Sequence, residues 1–322
     1  MSTPTALSPD TPILLIGAGY IAAEYIKALH ALGMRNITVL ARGTDRAHAL
    51  KEQYGLCAAH GGGESTLPSL LADAAAVIVA PSIEVLPTFA ALLAEASHPR
   101  VLLEKPAFLS SHDLEDFRTR YGGWECAVAL NRLFYPSVRM LAERIAQEGI
   151  RSATFSFTEW LHRIEPNDYT RQALARWGLS NCIHVISTAF HLIGLPAQLH
   201  ARQEQGEGIA WHPAGTIFTG AGISSHGTPF TYHSDWGSAG RWSIEIYNNR
   251  GAYSLCPMEG LSFKPKGSVT SEGLLPVWNG DTKCGFEAML AGFLSGQDYF
   301  SLSQLSPHLE AIEAMFGYSH TP

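Results

Sequence analysis

Glu104, Lys105 and Pro106 follow directly after the apolar run VLL at residues 101–103. Such a run predicts a buried strand, and open α/β sheets bind ligands at the C-terminal ends of their parallel strands. A lysine ammonium at that position can stabilise negative charge that develops on a substrate oxygen. Lys105 is therefore a candidate catalytic residue, and Glu104 is a carboxylate that could tune Lys105 or support the wall of the crevice.

A glycine turn, GAGYIA at residues 17–22, lies between the apolar run ILLI and a helical pattern. The first glycine of such a turn permits a tight bend, the second lets the backbone approach a diphosphate, and a small third residue lets the helix pack closely. Free N–H groups at the start of the helix would face the phosphates. The turn predicts dinucleotide binding by Gly17, Gly19, Tyr20, Ile21 and Ala22.

The second predicted strand, NITVLA at residues 36–41, ends without the acid that commonly binds the ribose 2′-hydroxyl of NAD. Arg42, Thr44 and Arg46 stand there instead, and a guanidinium suits a 2′-phosphate. We therefore predict NADP(H) as the preferred cofactor, with NAD(H) as the alternative if Arg42 is only a solvated charge. Further cofactor contacts are expected at Pro81, Glu104, Lys105 and Asn131, which follow other predicted strands.

The elements that must position these residues alternate along the first 130 positions. Apolar strands near 13–17, 36–41, 74–81, 100–106 and 125–130 are separated by helical patterns, one of which begins at Thr44 as a plausible cap. Buried strands alternating with helices predict a parallel sheet covered on both faces. We expect an α/β chain with a disordered polar tail at 1–12 and a dinucleotide-binding Rossmann domain, a doubly wound parallel sheet, at 13–130.

The second half has a different pattern, and 322 residues suffice for two domains. A helix at 135–150 precedes a long predicted strand at 151–162, and strand-like runs recur near 197–205, 215–223, 228–236, 241–248 and 251–256. Helices are expected at 283–296 and 306–317. We predict a C-terminal α+β domain at 131–322 with a largely antiparallel open sheet.

Composition excludes several other classes of protein. The net charge is −7 without a basic stripe, which argues against nucleic-acid binding. No apolar run reaches the roughly 18 residues of a membrane helix, and the N-terminus does not resemble a signal peptide. Five scattered cysteines without CxxC argue against disulfides and structural zinc, and no histidine spacing predicts a metal site. These features favour a cytoplasmic protein without a metal.

Three of these motifs together resemble the Gfo/Idh/MocA family of oxidoreductases: the glycine turn, Glu104-Lys105-Pro106, and Asn131-Arg132 followed by Pro136. The resemblance spans nearly the whole chain. It implies that Lys105 lies beside a nicotinamide and hydrogen-bonds the reacting oxygen, and that the bond from Lys105 to Pro106 is cis. It also implies that the domain at 131–322 binds substrate and forms the dimer surface, and that the protein is a homodimer or homotetramer.

The family's other signature is an aspartate four residues before a histidine on a helix, often with a second aspartate three residues after it. The segment SNCIHVIS at 180–187 places His184 at the histidine, whereas Ser180 and Ser187 occupy the aspartate positions. A Ser–His pair lacks the fixed charge that stabilises an imidazolium. His184 is expected to bind a substrate hydroxyl or act as the acid and base, with a purely structural histidine as the alternative.

Residues 159–178, EWLHRIEPNDYTRQALARWG, concentrate aromatic and basic side chains. Aromatic faces stack on sugar rings or nucleobases, and arginines bind carboxylates or phosphates. The alternative is a loop and helix with a solvated basic face. The expected substrate contacts are Lys105, Arg132, Trp160, Arg163, Tyr169, Arg176 and His184.

The leading functional prediction is an NADP(H)-dependent oxidoreductase that moves hydride between nicotinamide and a hydroxyl or carbonyl carbon of a sugar-like substrate, either acidic or nucleotide-linked. One alternative reduces an imine or a C=C bond on the same fold, which the missing aspartates make credible. Another is a sensor that binds the cofactor without turnover.

Overall fold

The computed structural model describes residues 8–206 and 209–318, which divide into two compact units. The first unit contains the residues up to Phe108 together with Asp113–Leu130 and Gly280–Leu305. The second contains Leu109–His112, Asn131–Asn279 and the residues from Ser306 onward. Each unit is built around one sheet.

In the described part of the first unit, six parallel strands form a sheet in the order β3-β2-β1-β4-β5-β6. The order reverses between β1 and β4, so the predicted doubly wound parallel sheet is confirmed. Its elements are β1 (Ile13–Ile16), α1 (Tyr20–Ala31), β2 (Ile37–Leu40), α2 (Thr44–Tyr54), β3 (Ala58–His60), α3 (Leu67–Leu71), β4 (Ala76–Val79), α4 (Leu86–Glu95), β5 (Val101–Leu103), α5 (Ser111–Arg120) and β6 (Ala127–Val128).

Burial explains why these short segments form a central sheet. Every side chain of β1, β4 and β5 is apolar and buried, as expected for parallel strands covered on both faces. Helix α1 buries Ala22, Tyr25, Ile26 and Leu29 at helical spacing, which packs one of its faces inward. Gly33 follows the helix with a φ of 80°, a conformation that favours glycine.

In the described part of the second unit, eight strands form a sheet in the order β14-β13-β12-β11-β7-β10-β9-β8. All neighbours are antiparallel except β7 and β10, so the predicted largely antiparallel sheet is confirmed. The remaining elements are α6 (Pro136–Glu148), β7 (Ser152–Phe157), α7 (Arg171–Ala175), α8 (Ile183–Ile193), β8 (Pro196–Glu204), β9 (Ile217–Ser224), β10 (Pro229–Asp235), β11 (Trp242–Tyr247), β12 (Gly251–Leu255), β13 (Leu261–Pro265), β14 (Glu272–Leu275), α9 (Phe286–Ser295) and α10 (Leu302–Phe316).

The predicted domain boundaries need a correction at Gly280–Leu305, which belongs to the first unit and not to the second. Helix α9 packs against α1, and the rings of Phe286 and Tyr25 lie 4.9 Å apart. The backbone N–H of Val128 also donates to the carbonyl of Phe300 over 2.7 Å, so the chain before α10 pairs with β6. Contacts distant in sequence therefore complete the first unit.

The disordered tail predicted at 1–12 is wrong for its described part. The carbonyl of Pro9 accepts a hydrogen bond from the backbone N–H of Arg35 over 3.0 Å, and that of Pro12 accepts one from Ala75 over 2.9 Å. These bonds attach residues 8–12 to the first unit. Residues 1–7 lie outside the described residues.

Several element boundaries also differ from the prediction. Gly43, not Thr44, caps α2, and β7 ends at Phe157, before a short 3-10 turn at Leu161–Arg163. Strands β3, β13 and β14 were not predicted, because each spans only three to five residues. The helix predicted to contain His184 begins with a π-helical turn at Gly178–Cys182.

Candidate functional site

The glycine turn joins β1 to α1 beside the end of β4. Gly17 has a φ of 120°, and a Cβ atom there would lie 2.3 Å from the carbonyl oxygen of Ala80. The backbone N–H of Gly17 donates to Leu40 over 2.8 Å, and that of Ala80 donates to Ile16 over 2.7 Å. Glycine is therefore required at position 17 by the close packing of three strand ends.

Gly19 caps α1 and borders open space. Its backbone is extended, no side chain caps the helix, and a Cβ atom added there would meet no atom within 4 Å. Tyr20 is 71% exposed, Ile21 is half-buried and Ala22 is buried against the sheet. The first turn carries no acidic side chain, so the first N–H groups of α1 fit the diphosphate of a dinucleotide.

Basic side chains follow β2 at the same edge of the sheet. Arg42, Thr44 and Arg46 are exposed, and neither arginine forms an ion pair with any residue in the described ranges. The N–H of Gly62 donates to the carbonyl of Arg42 over 3.2 Å, which fixes the backbone where β2 ends. Asp45, also exposed, is the acid in the first turn of α2.

The Glu104-Lys105-Pro106 segment lies immediately after β5, and its Lys105–Pro106 peptide bond is cis. The hydroxyl of Tyr25 donates to Glu104 Oε1 over 2.6 Å, and the backbone N–H of Lys105 donates to Glu104 Oε2 over 3.2 Å. Burial raises the pKa of Glu104, while Lys105, Tyr25 and Lys283 oppose that rise. Glu104 thus connects α1 to the backbone that carries Lys105.

Tyr25 and Lys283 were missed by sequence reasoning. Burial and the charge of Glu104 raise the pKa of Tyr25 well above its usual value, so its hydroxyl stays protonated as a donor. The ammonium of Lys283 lies 5.3 Å from the ring centre of Phe286 and 5.7 Å from that of Tyr20. A tyrosine on the buried face of α1 was a usable signal, whereas nothing in the sequence marked Lys283.

Two further predicted cofactor contacts lie at strand ends. Pro81 is half-buried just after β4, and its backbone nitrogen lies 3.1 Å from the position that a Cβ atom on Gly17 would occupy. Asn131 is 3% exposed and starts a 3-10 turn at the beginning of the second unit's main segment. Asn131 also accepts a long hydrogen bond, 3.5 Å, from Arg132.

The second unit contains a cavity of about 330 Å³ that brings together four predicted substrate contacts, namely Arg132, Trp160, Arg163 and Tyr169. It does not include Arg176 or His184. The other side chains around it come from the chain that follows β7, from the π-helical turn and the residue before it, from the start of β11 and the residue before it, and from the loop between β12 and β13. They are Thr158, Glu159, Ile164, Trp177, Asn181, Arg241, Trp242, Met258 and Glu259.

Guanidinium groups lie over indole rings around this cavity. Those of Arg163 and Arg241 lie 5.1 and 4.5 Å from the ring centre of Trp160, whose indole N–H donates to the carbonyl of Gly240 over 2.8 Å. That of Arg132 lies 4.7 Å from the ring centre of Trp242. Cation–π contacts orient flexible arginine side chains without consuming their hydrogen-bond donors.

Glu159 supplies a nearly enclosed carboxyl group to the cavity. It is 8% exposed, and its Oε1 accepts hydrogen bonds from Asn181 over 2.9 Å and from the Cys182 thiol over 3.2 Å. Burial raises its pKa, and these hydrogen bonds oppose the rise. Glu159 was not among the predicted contacts, because a single glutamate after a strand carries no distinctive signal.

His184 lies on α8 near Trp242, which lines the cavity. It is 8% exposed, and its ring centre lies 6.1 Å from that of Trp242. The hydroxyl of Ser180 donates to the carbonyl of Ala173 over 2.8 Å, and the hydroxyl of Ser187 is fully buried without a partner in the described chain. Neither position offers His184 a carboxylate.

Arg176, a predicted substrate contact, lies outside the set of residues that line the cavity. It is 7% exposed, and its guanidinium lies 4.8 Å from the ring centre of Tyr318. The hydroxyl of Tyr318 accepts a hydrogen bond from the N–H of Gly178 over 2.9 Å and shares another with His212 over 2.7 Å. Arg176 therefore packs in the interior of the second unit, and the idea of a solvated basic face fails at this residue.

Family models match only part of the chain. The shikimate / quinate 5-dehydrogenase model matches residues 6–100, which run from before β1 to the residue before β5. Curated protein sequences give no significant match.

Solved structures match the chain along almost its whole length. An oxidoreductase from Agrobacterium radiobacter, in complex with NAD+, L-tartaric acid and magnesium, is 16% identical with a TM-score of 0.78, over 97% of both chains. Levoglucosan dehydrogenase in complex with NADH and levoglucosan is 15% identical with a TM-score of 0.75, over 95% of this chain and 96% of that one. UDP-N-acetylglucosamine 3-dehydrogenase from Acidithiobacillus ferrooxidans is 14% identical with a TM-score of 0.73, over 96% and 97%. At these identities the similarity shows a shared fold.

Two properties of the described residues bear on other functions. They contain no group of three or more His, Cys, Asp or Glu side chains placed to hold a metal ion. Over the same ranges, every helix is too short or too polar to cross a membrane.

Proposed function

We propose that this chain is an NAD(P)-dependent oxidoreductase of the Gfo/Idh/MocA type that acts on a hydroxyl or carbonyl carbon of a sugar-like substrate. The observation that carries the proposal lies within the first unit. The open N-terminus of α1 follows β1, and Lys105 follows β5, so both lie at the C-terminal edge of one parallel sheet. The strand order reverses between β1 and β4 at this edge, the usual position of a dinucleotide in such sheets.

The residues of the chain have separate tasks in this proposal. A bound nicotinamide supplies or accepts the hydride. The N–H groups after Gly19 bind the diphosphate, and the Lys105 ammonium stabilises negative charge on the reacting oxygen. Glu104 holds the backbone of Lys105 through its N–H and is itself held by Tyr25. The names of the structural relatives, two of which are sugar or nucleotide-sugar dehydrogenases, support this substrate class.

NADP(H) is the cofactor that we propose, because two arginines without ion pairs in the described chain flank the end of β2. A guanidinium would bind a 2′-phosphate through two hydrogen bonds. Fluorescence titration with NADPH and NADH tests this preference, and tighter NADH binding would contradict it.

Replacing Lys105 by methionine tests the function. We expect turnover to fall by at least about 100-fold, because a charged donor to the reacting oxygen is lost, while NADPH still binds through the glycine turn and falls in affinity by much less than turnover does. Turnover is measured by nicotinamide absorbance with a panel of sugars, keto sugars and imines. Lys27→Met is the matched control, since Lys27 is an exposed residue of α1 paired with Glu24. NADPH binding without turnover on any compound would favour a cofactor-bound sensor instead.

Reduction of a C=N bond is the second candidate. It is favoured by the absence of a carboxylate at both positions flanking His184, where Ser180 bonds to Ala173 and Ser187 is fully buried. An imine that is already protonated needs less acid catalysis than a ketone does. Turnover of imines but not of keto sugars in the same panel would support this candidate.

We also propose that copies of the chain associate as a homodimer or homotetramer. Along β7 the side chains alternate between buried and half-buried, so one face of the eight-stranded sheet remains accessible. Light scattering on the purified protein measures the assembly directly, and a monomeric mass would contradict the proposal.

A further inference from the structure

Three arginines surround the cavity of the second unit without a carboxylate partner. Arg132, Arg163 and Arg241 line it, and none of them forms an ion pair within the described ranges. The whole chain has 29 acidic residues against 22 basic ones. In a chain with excess acid, three unneutralised guanidinium groups around one cavity form a local site of positive charge.

Two of these guanidinium groups share one ring. Arg163 and Arg241 both contact Trp160, so their charges lie no more than about 10 Å apart, roughly one Debye length. Like charges at that separation repel each other, and a bound anion would offset this repulsion by attracting both guanidinium groups. The indole holds both side chains in place, and their N–H donors remain available for a ligand.

The acids of the cavity offset little of this charge. Burial raises the pKa of Glu159, and Asn181 and Cys182 already donate to its Oε1. Glu259 is the only other acidic residue among those that line the cavity in the described chain, and it is half-buried. The arginines therefore outnumber the carboxylates even when both glutamates are counted as charged.

The walls and volume limit the size of the ligand. Trp160, Trp177 and Trp242 provide flat apolar surface of the kind on which sugar rings stack. A volume of about 330 Å³ is at the lower end of the usual range for ligand cavities, about 300–1,000 Å³. This favours a single sugar-sized ring over a nucleotide-linked sugar.

We propose that this cavity binds a sugar-sized acid, whose carboxylate or phosphate lies against Arg132, Arg163 and Arg241 and whose ring lies against the tryptophans. The inference rests on the proposed function, because it takes the cavity to be the substrate site of the oxidoreductase. Of the two substrate classes expected from the sequence, it selects the acidic sugar. It also assigns Arg241 and Trp242 to substrate binding.

Intrinsic tryptophan fluorescence of the full chain tests the proposal, since three tryptophans line the cavity. The probes are D-glucuronate, D-glucose 6-phosphate and the neutral D-glucose. We expect at least one acid to bind about tenfold or more tightly than glucose, and added NaCl to weaken that binding. Comparison of the two acids distinguishes a carboxylate from a phosphate. Equal or weaker binding of both acids relative to glucose overturns the proposal.

Arginine variants show whether the charge acts at this cavity. We expect Arg241→Gln and Arg132→Gln each to weaken acid binding by about tenfold or more and to leave glucose binding nearly unchanged. Arg202→Gln is the matched control, because Arg202 is an exposed arginine of the same unit that pairs with Glu204. Acid affinity that survives in both cavity variants overturns the proposal.

Titration of the same preparations with NADPH distinguishes a failure of the acid-binding cavity from a failure of the proposed oxidoreductase function. If NADPH binds and a neutral sugar is turned over while neither acid binds better than glucose, this inference falls and the proposed function stands. If an acid binds through Arg241 while NADPH does not bind, the cavity chemistry stands and the proposed function falls.

Discussion

Glu159 shows how one buried carboxyl group can affect both stability and the charge of a cavity. It lies just after β7, 8% exposed, with Asn181 and Cys182 as hydrogen-bond donors. Burial disfavours the charged form more than these donors favour it, so its pKa is raised from the ordinary value of 4.5. The folded protein therefore binds a proton at Glu159 more tightly than the unfolded chain does.

Replacing Glu159 by glutamine should change how stability depends on pH. Because the pKa is higher in the folded state, the wild-type protein binds more protons when folded, and its stability falls as the pH rises from about 4.5 through the folded pKa. The variant lacks this decline, so it should gain relative to wild type by about 1.4 kcal/mol for each tenfold difference in proton affinity. Urea unfolding at several pH values between about 4 and 8 measures it, and parallel curves would contradict the prediction.

The sequence indicated candidate site residues at the ends of strands, but it did not indicate those that reach the cavity through the pairing of strands. Lys105 and Gly19 could be predicted because each directly follows a recognisable strand, and the C-terminal edge of a parallel sheet collects such positions. Trp242 could not, because it reaches the cavity through the pairing of β11 with β7, where it lies opposite Phe157. The register of an antiparallel pair is a tertiary property that a single sequence does not state.

At the scale of elements, the turn from β1 to α1 contains two glycines with different requirements. Gly17 is needed by the fold, since any side chain there would overlap the carbonyl of Ala80. Gly19 has no such neighbour and faces the space in front of the helix N-terminus. The same motif thus combines a packing constraint with a ligand-binding one.

Replacing each glycine by alanine should distinguish the packing requirement at Gly17 from the ligand-binding requirement at Gly19. We expect Gly17→Ala to lower the free energy of unfolding by about 2–5 kcal/mol, from backbone strain and overpacking. Gly19→Ala should cost less than about 1 kcal/mol and weaken NADPH binding by about tenfold or more, because the new methyl group occupies the approach to the diphosphate. Chemical denaturation and NADPH titration measure both effects. Equal loss of stability in the two variants would refute this division.

A π-helical turn at Gly178–Cys182 precedes the helix that carries His184, and the sequence did not predict this turn. A Cβ atom on Gly178 would lie 2.7 Å from the ring of Phe316, so this turn packs directly against α10. A π-helical turn changes the direction of side chains relative to an α-helix, and such turns often occur at functional sites. The helix itself was predictable from its apolar pattern, whereas the hydrogen bond of Ser180 to Ala173 and the packing of Arg176 on Tyr318 are tertiary contacts that the pattern does not state.

At the scale of the whole molecule, the first unit is assembled from segments far apart in sequence. Its sheet is complete by Leu130, yet α9 and the chain near Ser301 come from residues 280–305. The sequence correctly predicted one parallel and one largely antiparallel sheet. The sequence of helix α9, however, does not indicate which of the two sheets the helix covers. An apolar helix face fits either unit, and only packing decides.

Residues 1–130 alone should therefore fail to form a stable dinucleotide-binding unit. Helix α9 buries Phe286, Met289, Leu290, Phe293 and Leu294, each worth about 1.5–3 kcal/mol, and the total rivals the roughly 5–15 kcal/mol stability of a typical domain. We expect no cooperative thermal unfolding and no NADPH binding from this fragment. Joining residues 280–305 through a flexible linker of about 15 residues should restore both, whereas a scrambled version should not. A cooperative transition in the short fragment would contradict the prediction.

The late position of α9 in the chain has a consequence for biosynthesis. Asn131–Asn279 comprises 149 residues, which a ribosome adds in about 7 to 30 seconds. Throughout that interval all six strands of the first sheet have been synthesised, while the side of α1 that receives Phe286 has no α9 to cover it. The growing polypeptide must carry this apolar surface through translation of the entire second sheet, so the first unit, although it is begun first, cannot be completed before residues 280–305 have been made.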